Sequence, residues 1–292
     1  MDFLLIHVLN ALLYAAVLFL IAGGLSLIYG VMRIVNLAHG NLYAFGAYTT
    51  AWAVGAASTA GMPWGLLYLL LPAGAIAAAA LGAVLEPTLL RPFYKRAEEY
   101  QLLVTFGLLM ILDDLIRFLW GAYPLTASVL WENMGSISIG DNPYPTYNLL
   151  VIVVGAAAAV FLWAFIYRTK FGVVLRATSQ DMRMASALGV NVNRTYVEAF
   201  TMGCFMAGLG GAIIVPSQSA VLGMGVDALV LSFIVVVIGG LGSLEGALVG
   251  ALIVGIVREL GITYFPEMEL AVLYLMAALV LFVRPAGLFG RA

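Results

Sequence analysis

The chain has 292 residues, of which 64% are hydrophobic and only 10% charged, whereas a soluble globular protein carries about 25% charged residues. This composition leaves too little polar surface to cover a water-soluble core, so it excludes a soluble fold and predicts a polytopic membrane protein. The net charge of −2 without a basic block argues against a nucleic-acid partner, and the single cysteine, Cys204, excludes intrachain disulfides and Cys-based metal sites.

The apolar runs predict transmembrane helices. A helical crossing of the hydrocarbon core needs about 20 apolar residues, so the length allows roughly eight to ten spans. The runs are continuous and rich in Leu, Ala and Val, which favours helices over the alternating strands of a β-barrel. The run at 227–238 is too short to span alone, so it either borrows its flanks or is a half-helix. The nine predicted crossings are Phe3–Tyr29, Asn41–Ala60, Leu66–Leu90, Gln101–Trp120, Tyr147–Tyr167, Thr195–Val215, Asp227–Ile238, Gly246–Thr263 and Glu269–Val283.

We therefore expect an all-α fold: a polytopic helical membrane protein with about 8–10 transmembrane helices, some of them broken. Residues 1–292 are expected to form a single transmembrane domain. The first basic residue is Arg33, so the chain lacks the positive n-region of a secretory signal peptide at its start. The first apolar run is expected to be retained as a span.

The basic residues predict the orientation of the helices. Eleven of the 13 Lys and Arg residues fall on one side of a strictly alternating arrangement. Because basic residues accumulate in cytoplasmic loops, we expect the N-terminus outside and the C-terminus inside. The opposite connections, at 61–65, 121–146, 216–226 and 264–268, contain none. The eleven lie at Arg33, within 91–96, within 168–194, and at Arg284 and Arg291.

Two connections are long enough to have their own structure. The outer loop 121–146 is rich in Gly, Pro, Ser and Asn, and it predicts an irregular or short β-like cap. In the inner loop 168–194, Ser179 is the expected N-cap of a short amphipathic helix, with Asp181 in its first turn and Gly189 as its C-cap. This helix either lies on lipid headgroups or docks a cytoplasmic partner. Its apolar positions at helical spacings are Met182, Met184, Ala185 and Leu188.

Two stretches, 30–40 and 239–246, interrupt the helical pattern with small residues. Unwound backbone at membrane depth is tolerated only where it is buried in protein or lines a cavity, and in transporters it places helix ends at the substrate. The stretches are either such breaks or ordinary cytoplasmic turns. Asn36 and His39 are three residues apart, so they can share a face and bond to the backbone of the break or to a ligand. The candidates for the translocation path or its hinges are Asn36, His39, Gly40, Gly239, Gly240, Gly242 and Ser243.

Charged residues also lie inside predicted spans. Arg117 follows Asp113 by four residues and Asp114 by three, so we expect one carboxylate to pair with it near the outer end of its helix. Arg258 and Glu259 are adjacent and face different directions, so each needs a partner elsewhere. Ionisable groups inside a membrane are functional candidates by default, but structural pairing is the favoured interpretation of the Asp113–Arg117 cluster.

The sequence offers no catalytic set and no metal site. His39 has no second histidine or acid at metal-ligand spacing, and no nucleophile motif is present. The only lysines are Lys95 and Lys170, and neither follows a Gly-rich phosphate loop. The chain is therefore not itself a P-loop ATPase and is expected to hold no cofactor. If ATP drives it, another subunit must bind the nucleotide.

Four blocks of sequence resemble the permease family of branched-chain amino-acid ABC importers, of the LivH and LivM type. They are residues 24–40, with the pattern GLSLIYG followed by RIVNLAHG, then 176–190, 236–246 and 284–291. The blocks occur in the family's order and cover nearly the whole chain, so together they are specific. The chain is closer to the shorter LivH type, because it has no long extension.

The resemblance implies a transport complex in the bacterial inner membrane. Two permeases form a heterodimer, or occasionally a homodimer, and two cytoplasmic ABC ATPases supply ATP and Mg²⁺. A periplasmic or extracellular binding protein delivers substrate to the outer loops. The ATPases are implied to dock on the 176–190 helix, and the coupling residues carried over are Arg176, Asp181, Arg183, Met184, Ala185, Leu188 and Gly189.

One position departs from the general importer pattern. That pattern has Glu six residues before the glycine, where this chain has Arg183 before Gly189, and the acid stands at Asp181 instead. The position of the contact is therefore carried over, but no specific salt bridge is.

The expected function is a permease subunit that moves branched-chain or other hydrophobic amino acids, or related small solutes, into the cell. Members of the family are also assigned to other amino acids, urea, amides and aromatic acids, so the exact substrate stays open. The alternative is a secondary transporter or channel driven by an ion gradient, with Asp113, Asp114 and Glu259 as coupling carboxylates. An intramembrane enzyme is a third alternative, which lacks a convergent catalytic set.

Overall fold

The computed structural model describes residues 2–290; Arg291, the last of the basic residues counted above, lies outside the described residues. Within that range the regular elements are helices apart from one small hairpin. The elements are α1 (Asp2–Met32), α2 (His39–Thr59), α3 (Trp64–Leu67), α4 (Leu71–Leu85), α5 (Glu98–Trp120), α6 (Ser128–Met134), β1 (Ser136–Ile139), β2 (Asn142–Pro145), α7 (Thr146–Arg168), α8 (Lys170–Gln180), α9 (Met182–Ala187), α10 (Val192–Ile214), α11 (Met224–Gly239), α12 (Leu244–Tyr264) and α13 (Glu269–Val283).

All nine predicted crossings are helical. Six helical segments are long and apolar enough to cross a membrane: α1, Trp64–Phe93, α7, α10, α12 and Pro266–Val283. The other three predicted crossings are α2, α5 and α11. α2 contains three Gly and three Thr, and α5 carries five charged residues. α11 has only 16 residues, about 24 Å of helix, which is less than the roughly 30 Å of a hydrocarbon core, as its short apolar run indicates.

The third crossing is not one regular helix. α3 and α4 are joined by a 3₁₀ turn at Tyr68–Leu70, and α4 continues into a π-helical turn at Glu86–Leu90 and a 3₁₀ turn at Arg91–Phe93. A π turn inserts an extra residue into the helical repeat and occurs frequently at functional sites. The irregular segment lies at the end of this crossing, next to the start of α10.

α1 lies at the centre of the bundle, where it packs against α7, α10, α11 and α12. Every residue from Val17 to Ile28 is buried, so the helix is covered on all sides over this length. α10 is the second central helix and contacts α1, α2 and α4. The buried core therefore follows these two helices, and α5 and α13 lie at the periphery with mostly exposed apolar faces.

Small residues allow the central helices to approach closely. A Cβ atom on Gly203 of α10 would lie 2.6 Å from the Ile28 side chain of α1, and one on Gly208 would lie 2.5 Å from the Ala78 side chain of α4. Gly250 of α12 contacts the backbone of α11 in the same way. Small residues at these contacts therefore serve the packing of the helices.

The loop 121–146 forms a cap at one end of the bundle. β1 and β2 pair as an antiparallel hairpin with Ser136 opposite Pro145, and Leu125 pairs with Ala220 in an isolated bridge. The predicted β-like cap is confirmed, and it also contains α6, which the Gly- and Pro-rich composition did not predict. We call this end of the bundle the hairpin end, and the opposite end, where α8 and α9 lie, the basic end.

Candidate functional site

At the basic end, residues 168–194 fold into two helices rather than the single helix predicted. Thr169 caps α8, because its hydroxyl accepts a hydrogen bond from the Gly172 amide over 3.0 Å. Asp181 caps α9, because its Oδ1 accepts from the Met184 amide over 2.9 Å. The prediction that Ser179 is the N-cap is wrong: its Oγ donates to the Arg176 carbonyl within α8. Asp181 has the extended backbone that an N-cap requires, and Ser179 is helical.

The C-terminal end of α9 closes as predicted. Gly189 adopts a φ of +86°, the left-handed conformation that glycine tolerates. The Gly189 amide donates to the Ser186 carbonyl, and the Val190 amide reaches back to the Ala185 carbonyl over 3.1 Å. These paired bonds satisfy carbonyls that the helix end leaves free. α9 is thus a six-residue helix with both ends capped.

α9 exposes most of its side chains. Ala185 is its only buried residue, whereas Met182, Met184 and Leu188 at its C-cap are 48%, 59% and 79% exposed. Arg183 is also exposed. Three large apolar side chains on so short a helix are available to a partner or to lipid headgroups, the two alternatives that the sequence leaves open. The predicted coupling residues from Asp181 to Gly189 therefore lie together, and Arg176 lies on the neighbouring α8.

An ion pair with one buried partner lies at the end of the third crossing, beside this region, and the sequence did not predict it. Glu86, at the end of the third crossing, is fully buried. Its carboxylate accepts from Arg91 Nη2 over 2.6 Å and from Tyr94 Oη over 2.8 Å. Charge-assisted bonds of this kind satisfy a buried carboxylate. The signal in the sequence was the five-residue spacing of Glu86 and Arg91, which a π turn places on one side.

The ion pair continues to α9 through aromatic side chains. Burial, and next the hydrogen bond to Glu86, raise the pKa of Tyr94, so its phenol stays protonated as a donor. The Tyr94 ring packs edge-on against the Tyr196 ring, with centroids 5.5 Å apart. Tyr196 Oη in turn donates to Met182 Sδ over 3.2 Å. A continuous set of contacts therefore joins the π turn of the third crossing to α9.

The first of the two stretches that interrupt the helical pattern, residues 30–40, enters the bundle. Arg33 has a φ of +54°, and the following residues to Ala38 are not helical. His39 Nε2 lies 3.0 Å from the Ile21 carbonyl, which is eleven residues before the end of α1 at Met32. At about 1.5 Å per residue this is about 16 Å from the end of α1. This stretch is therefore a break at depth and not a surface turn.

The side chains of the break are buried and partly unsatisfied. Asn36 and His39 are both fully buried, and Asn36 Oδ1 accepts from the Ala38 amide over 3.1 Å. Because a carbonyl only accepts, His39 carries its proton on Nε2. Asn36 Nδ2 and His39 Nδ1 have no hydrogen-bond partner among residues 2–290. Gly40 packs directly on Gly225, so the start of α2 meets the start of α11 inside the bundle.

The second of these stretches, residues 239–246, contains a turn at the basic end. Gly240 and Gly242 have φ values of +105° and +79°, and Ser243 caps α12 by accepting from the Gly246 amide over 3.0 Å. A Cβ atom on Gly242 would lie 2.9 Å from the Gly30 Cα. Gly242 and Ser243 thus lie beside the end of α1, with Gly239 and Gly240 at the end of α11. Asn36, His39 and Gly40 lie deeper, so the structure separates the predicted path residues into two groups.

The C-terminal segment covers the end of α11. The amides of Leu288 and Phe289 donate to the carbonyls of Ile238 and Gly239, each over 2.9 Å. These bonds satisfy carbonyls that the end of a helix leaves free. The last block of the sequence pattern, described to Gly290, therefore has a structural role at the same turn.

A cavity of about 800 Å³ opens between these parts at the basic end. Its walls come from the end of α1, from α8, from the turn between α11 and α12, and from the segment after α13. Of the predicted path residues, Gly242 and Ser243 line it. Its charged lining residues are Arg33, Arg176 and Glu245.

Residues 7–282 match the family described as "Branched-chain amino acid transport system / permease component". The chain belongs to this family. It is 29% identical to the high-affinity branched-chain amino acid transport system permease protein LivH of Escherichia coli K12, over 93% of this chain and 91% of LivH. It is 27% identical to the corresponding BraD protein of Pseudomonas aeruginosa, over 97% of this chain and 94% of BraD. Identity to LivM of Escherichia coli K12 is 24%, over 91% of this chain and 66% of LivM.

These comparisons confirm the resemblance and its leaning toward LivH rather than LivM. The relatives are named as permease proteins of transport systems, so this chain is a transport subunit rather than an enzyme. Among residues 2–290, no three or more His, Cys, Asp or Glu side chains form a group that could hold a metal ion.

The predicted pairing on α5 of this permease is wrong. No ion pair joins Arg117 to Asp113 or Asp114 within the described range. α5 buries an apolar stripe that includes Leu108, Leu112 and Ile116, and this stripe fixes which way the helix faces. Asp114 and Arg117 are consequently exposed and Asp113 is half-buried. Sharing one helix face is not enough to bring these side chains into contact.

The adjacent residues Arg258 and Glu259 each bond to a different partner, as expected. Arg258 Nε donates to Glu269 Oε1 over 2.6 Å, and its guanidinium lies 4.4 Å from the Tyr14 ring centroid. Glu259 instead faces α1, where its Oε1 lies 2.7 Å from His7 Nδ1 and accepts from Asn10 Nδ2 over 3.1 Å. The prediction that the two adjacent charges find separate partners is confirmed.

Proposed function

We propose that this chain is one of two permease subunits of an ATP-driven importer that brings branched-chain amino acids across the inner membrane of a bacterium. The match over residues 7–282 carries the proposal, since it spans the helical bundle and the segment 168–194. Relatives that align over nearly their full length are named for this transport. The whole chain acts as one permease domain, surrounded by lipid and by its partner permease.

The basic end faces the cytoplasm. Eleven of the 13 Lys and Arg residues belong to segments on this side of the alternating arrangement, which the preference of basic loops for the cytoplasm explains. The hairpin end then faces the outside, where a substrate-binding protein delivers the amino acid. ATP and Mg²⁺ bind to separate ATPase subunits, because this chain has no phosphate-binding loop.

α9 is the docking helix for one of these ATPases. Its capped ends and exposed Met182, Met184 and Leu188 favour insertion into a groove of a folded partner. Lipid headgroups are the less suitable occupant, because α9 has only six residues and its exposed apolar side chains do not form one long face. The contacts from Met182 through Tyr196 and Tyr94 to Glu86 then transmit its movement to the third crossing.

The turn at 240–243 acts as the hinge between α11 and α12. Both of its central glycines hold backbone conformations that other residues rarely adopt, and Gly242 packs on Gly30 without space for a side chain. Small changes at this contact shift α12 relative to α1. The deeper group of Asn36, His39 and Gly40 lies where α2 and α11 begin, and it borders the path. The path binds substrate weakly, because a tight site would not release it.

A gradient-driven transporter is the second candidate, and Asp113 and Asp114 on α5 favour it. These carboxylates have no ion-pair partner within the described chain, whereas Glu259 is already held by His7 and Asn10. Such a transporter would work without an ATPase.

The test is purification of the tagged chain from its native host in mild detergent, with mass spectrometry of the proteins that accompany it. We expect two P-loop ATPases and a second permease. Recovery of the chain alone, or only as copies of itself, in several detergents would favour the gradient-driven transporter instead.

A further inference from the structure

The cavity at the basic end has the size of a small-molecule site. Its volume of about 800 Å³ lies within the range of about 300–1,000 Å³ that is typical of ligand pockets. It lies between the α8 wall and the 240–243 turn, so any occupant touches two elements that the proposed mechanism moves.

The cavity contains one cation that the protein does not pair. Arg33 lines it, and no hydrogen bond or ion pair is found for the Arg33 guanidinium among residues 2–290. Arg33 is also the only non-glycine residue in this range with a positive φ, at +54°. A non-glycine residue in this conformation is uncommon, and such strain persists where the surrounding structure enforces it and clusters at functional sites.

The other charged lining groups already have partners. Arg176 donates to the Ile166 carbonyl, and its guanidinium lies 5.1 Å from the Tyr167 ring centroid. Glu245, in the first turn of α12, accepts from Tyr167 Oη over 2.5 Å, which holds its carboxylate in place. The cavity therefore offers a free guanidinium and a positioned carboxylate.

The remaining walls combine apolar side chains with polar ones such as Ser179 and Gln180 of α8. Leu27 comes from α1, Leu241 from the hinge turn and Phe289 from the C-terminal segment. A ligand that matches this lining carries one negative group, one positive group and a short hydrocarbon side chain. Inorganic phosphate matches it poorly, because phosphate has no positive group for Glu245 and no apolar part.

We propose that this cavity is a binding site for a zwitterionic α-amino acid with an aliphatic side chain, which enters from the basic end. The carboxylate binds Arg33, the ammonium group binds Glu245, and the side chain packs against Leu27 and Leu241. The choice of amino acid rests on the proposed function. The site goes beyond that function, because it faces the cytoplasmic side, where the transported amino acid is released.

Occupancy of the site regulates transport. A ligand held between α8 and the hinge turn binds best to one arrangement of these two elements and favours that arrangement. The amino acid that accumulates inside the cell therefore slows the transport cycle, so the importer responds to its own product.

Binding is tested on the full chain, purified with its accompanying subunits and reconstituted in nanodiscs without binding protein. L-leucine is titrated by calorimetry beside two analogues: isocaproate, which lacks the ammonium group, and isoamylamine, which lacks the carboxylate. Each analogue is expected to bind about tenfold to a hundredfold more weakly than leucine, since each loses one charge-assisted contact. Inorganic phosphate is titrated in the same way. Equal binding of leucine and both analogues, stronger binding of phosphate than of leucine, or no saturable binding of leucine would overturn the proposal.

Variants locate the site. Arg33→Gln and Glu245→Gln are expected to weaken leucine binding by about tenfold or more, and Arg33→Lys to retain part of it. Lys95→Gln removes an exposed positive charge outside the cavity and is the matched control, with unchanged binding. If gel filtration shows that the Arg33→Gln variant is misfolded, Arg33→Asn is used instead, because Asn tolerates a positive φ. Wild-type affinity in folded Arg33 and Glu245 variants would exclude this cavity.

Regulation has a separate readout. We expect leucine to lower the ATPase rate of the wild-type and Lys95→Gln complexes, and to lower it by a smaller fraction in the Arg33 variants. Transport from the outside through the binding protein is measured in parallel. Intact uptake without any leucine effect on the ATPase would refute the regulatory site and leave the importer standing, whereas loss of ATP-driven uptake in the wild type would refute the importer itself.

Discussion

Ser26 donates a hydrogen bond from its Oγ to the carbonyl of Ser243 over 2.9 Å, and this bond joins the buried part of α1 to the turn before α12. Four residues farther along α1, Gly30 packs against Gly242 of the same turn. The stretches 30–40 and 239–246 are thus in contact through Gly30 and Gly242. We infer that the central helix fixes the position of the hinge.

Substitutions that add a side chain at the glycines of the 240–243 turn are expected to stop transport. Gly242→Ala places a Cβ 2.9 Å from the Gly30 Cα and forces a positive φ on alanine, so we expect lower stability by about 1–3 kcal/mol and strongly reduced uptake. Gly240→Leu, at a φ of +105°, is expected to abolish uptake. Gly107→Ala on α5 is the control, because a Cβ there contacts nothing within 4 Å. Uptake at the wild-type rate by normally expressed Gly240→Leu would remove the turn as a hinge.

Asp181, which caps α9, and Ser179, which does not, allow a direct test of whether α9 docks the ATPase. Asp181→Ala removes the N-cap of α9 and is expected to destabilise that helix by about 0.5–2 kcal/mol, which reduces the ATPase recovered with the permease. Ser179→Ala removes a hydroxyl that caps no helix and is expected to leave ATPase recovery unchanged. Quantitative mass spectrometry of the purified complexes measures both. Equal recovery from the two variants would show that docking does not depend on a formed α9.

The contact from Tyr196 to Met182 is expected to matter for coupling more than for stability. Tyr196→Phe keeps the ring that packs on Tyr94 and removes only the hydrogen bond to sulfur, which is worth about 0.5–1.5 kcal/mol at most. We expect nearly wild-type thermal stability, with fewer leucine molecules transported per ATP hydrolysed. The ratio is measured in proteoliposomes. An unchanged ratio would mean that Tyr196 has only a packing role.

The orientation of the chain stays a prediction, and single cysteines test it. Cys204 is fully buried and is expected not to react with a polar maleimide. Ser138→Cys in β1 and Ser186→Cys in α9 both stand at exposed positions. In intact spheroplasts we expect labelling at position 138 and, only after permeabilisation, at position 186. The reverse pattern would invert the assignment of the two ends.

The acidic residues of α5 separate the two candidate mechanisms. We expect the double variant Asp113→Asn with Asp114→Asn to keep ATP-driven uptake, since neither carboxylate is bonded to the bundle through an ion pair in the described chain. Uptake is compared with and without a protonophore at fixed ATP. Loss of transport in the variant, together with sensitivity to the protonophore, would favour coupling to a proton gradient.

The sequence was sufficient for features that depend on local pattern. Continuous apolar runs located the helices of all nine predicted crossings, six of which are long and apolar enough to span a membrane. Gly189 at the end of a helical pattern located a C-cap, because a left-handed residue there is a local requirement. The separate partners of Arg258 and Glu259 followed from their adjacency, although the identities of Glu269 and His7 depend on packing between helices.

Features that depend on tertiary packing were not predictable in the same way. The depth of the first break depends on the contact of His39 with Ile21, eighteen residues away in sequence. The burial of Glu86 depends on a π turn, which no hydrophobic period reveals. The isolation of Arg117 depends on which stripe of α5 is buried. In each case the local pattern gave the residue type, and the neighbouring helix decided its environment.

ATP-driven leucine transport across proteoliposomes that contain the purified complex tests the importer most directly. With the ATPases outside, the binding protein inside and leucine enclosed, added ATP is expected to move leucine outward across the liposome membrane at a rate that ionophores do not change. The ATP-dependent rate is expected to vanish when the ATPases are omitted. Leucine movement by this chain alone, driven by an imposed ion gradient and indifferent to ATP, would contradict the assignment as an importer subunit.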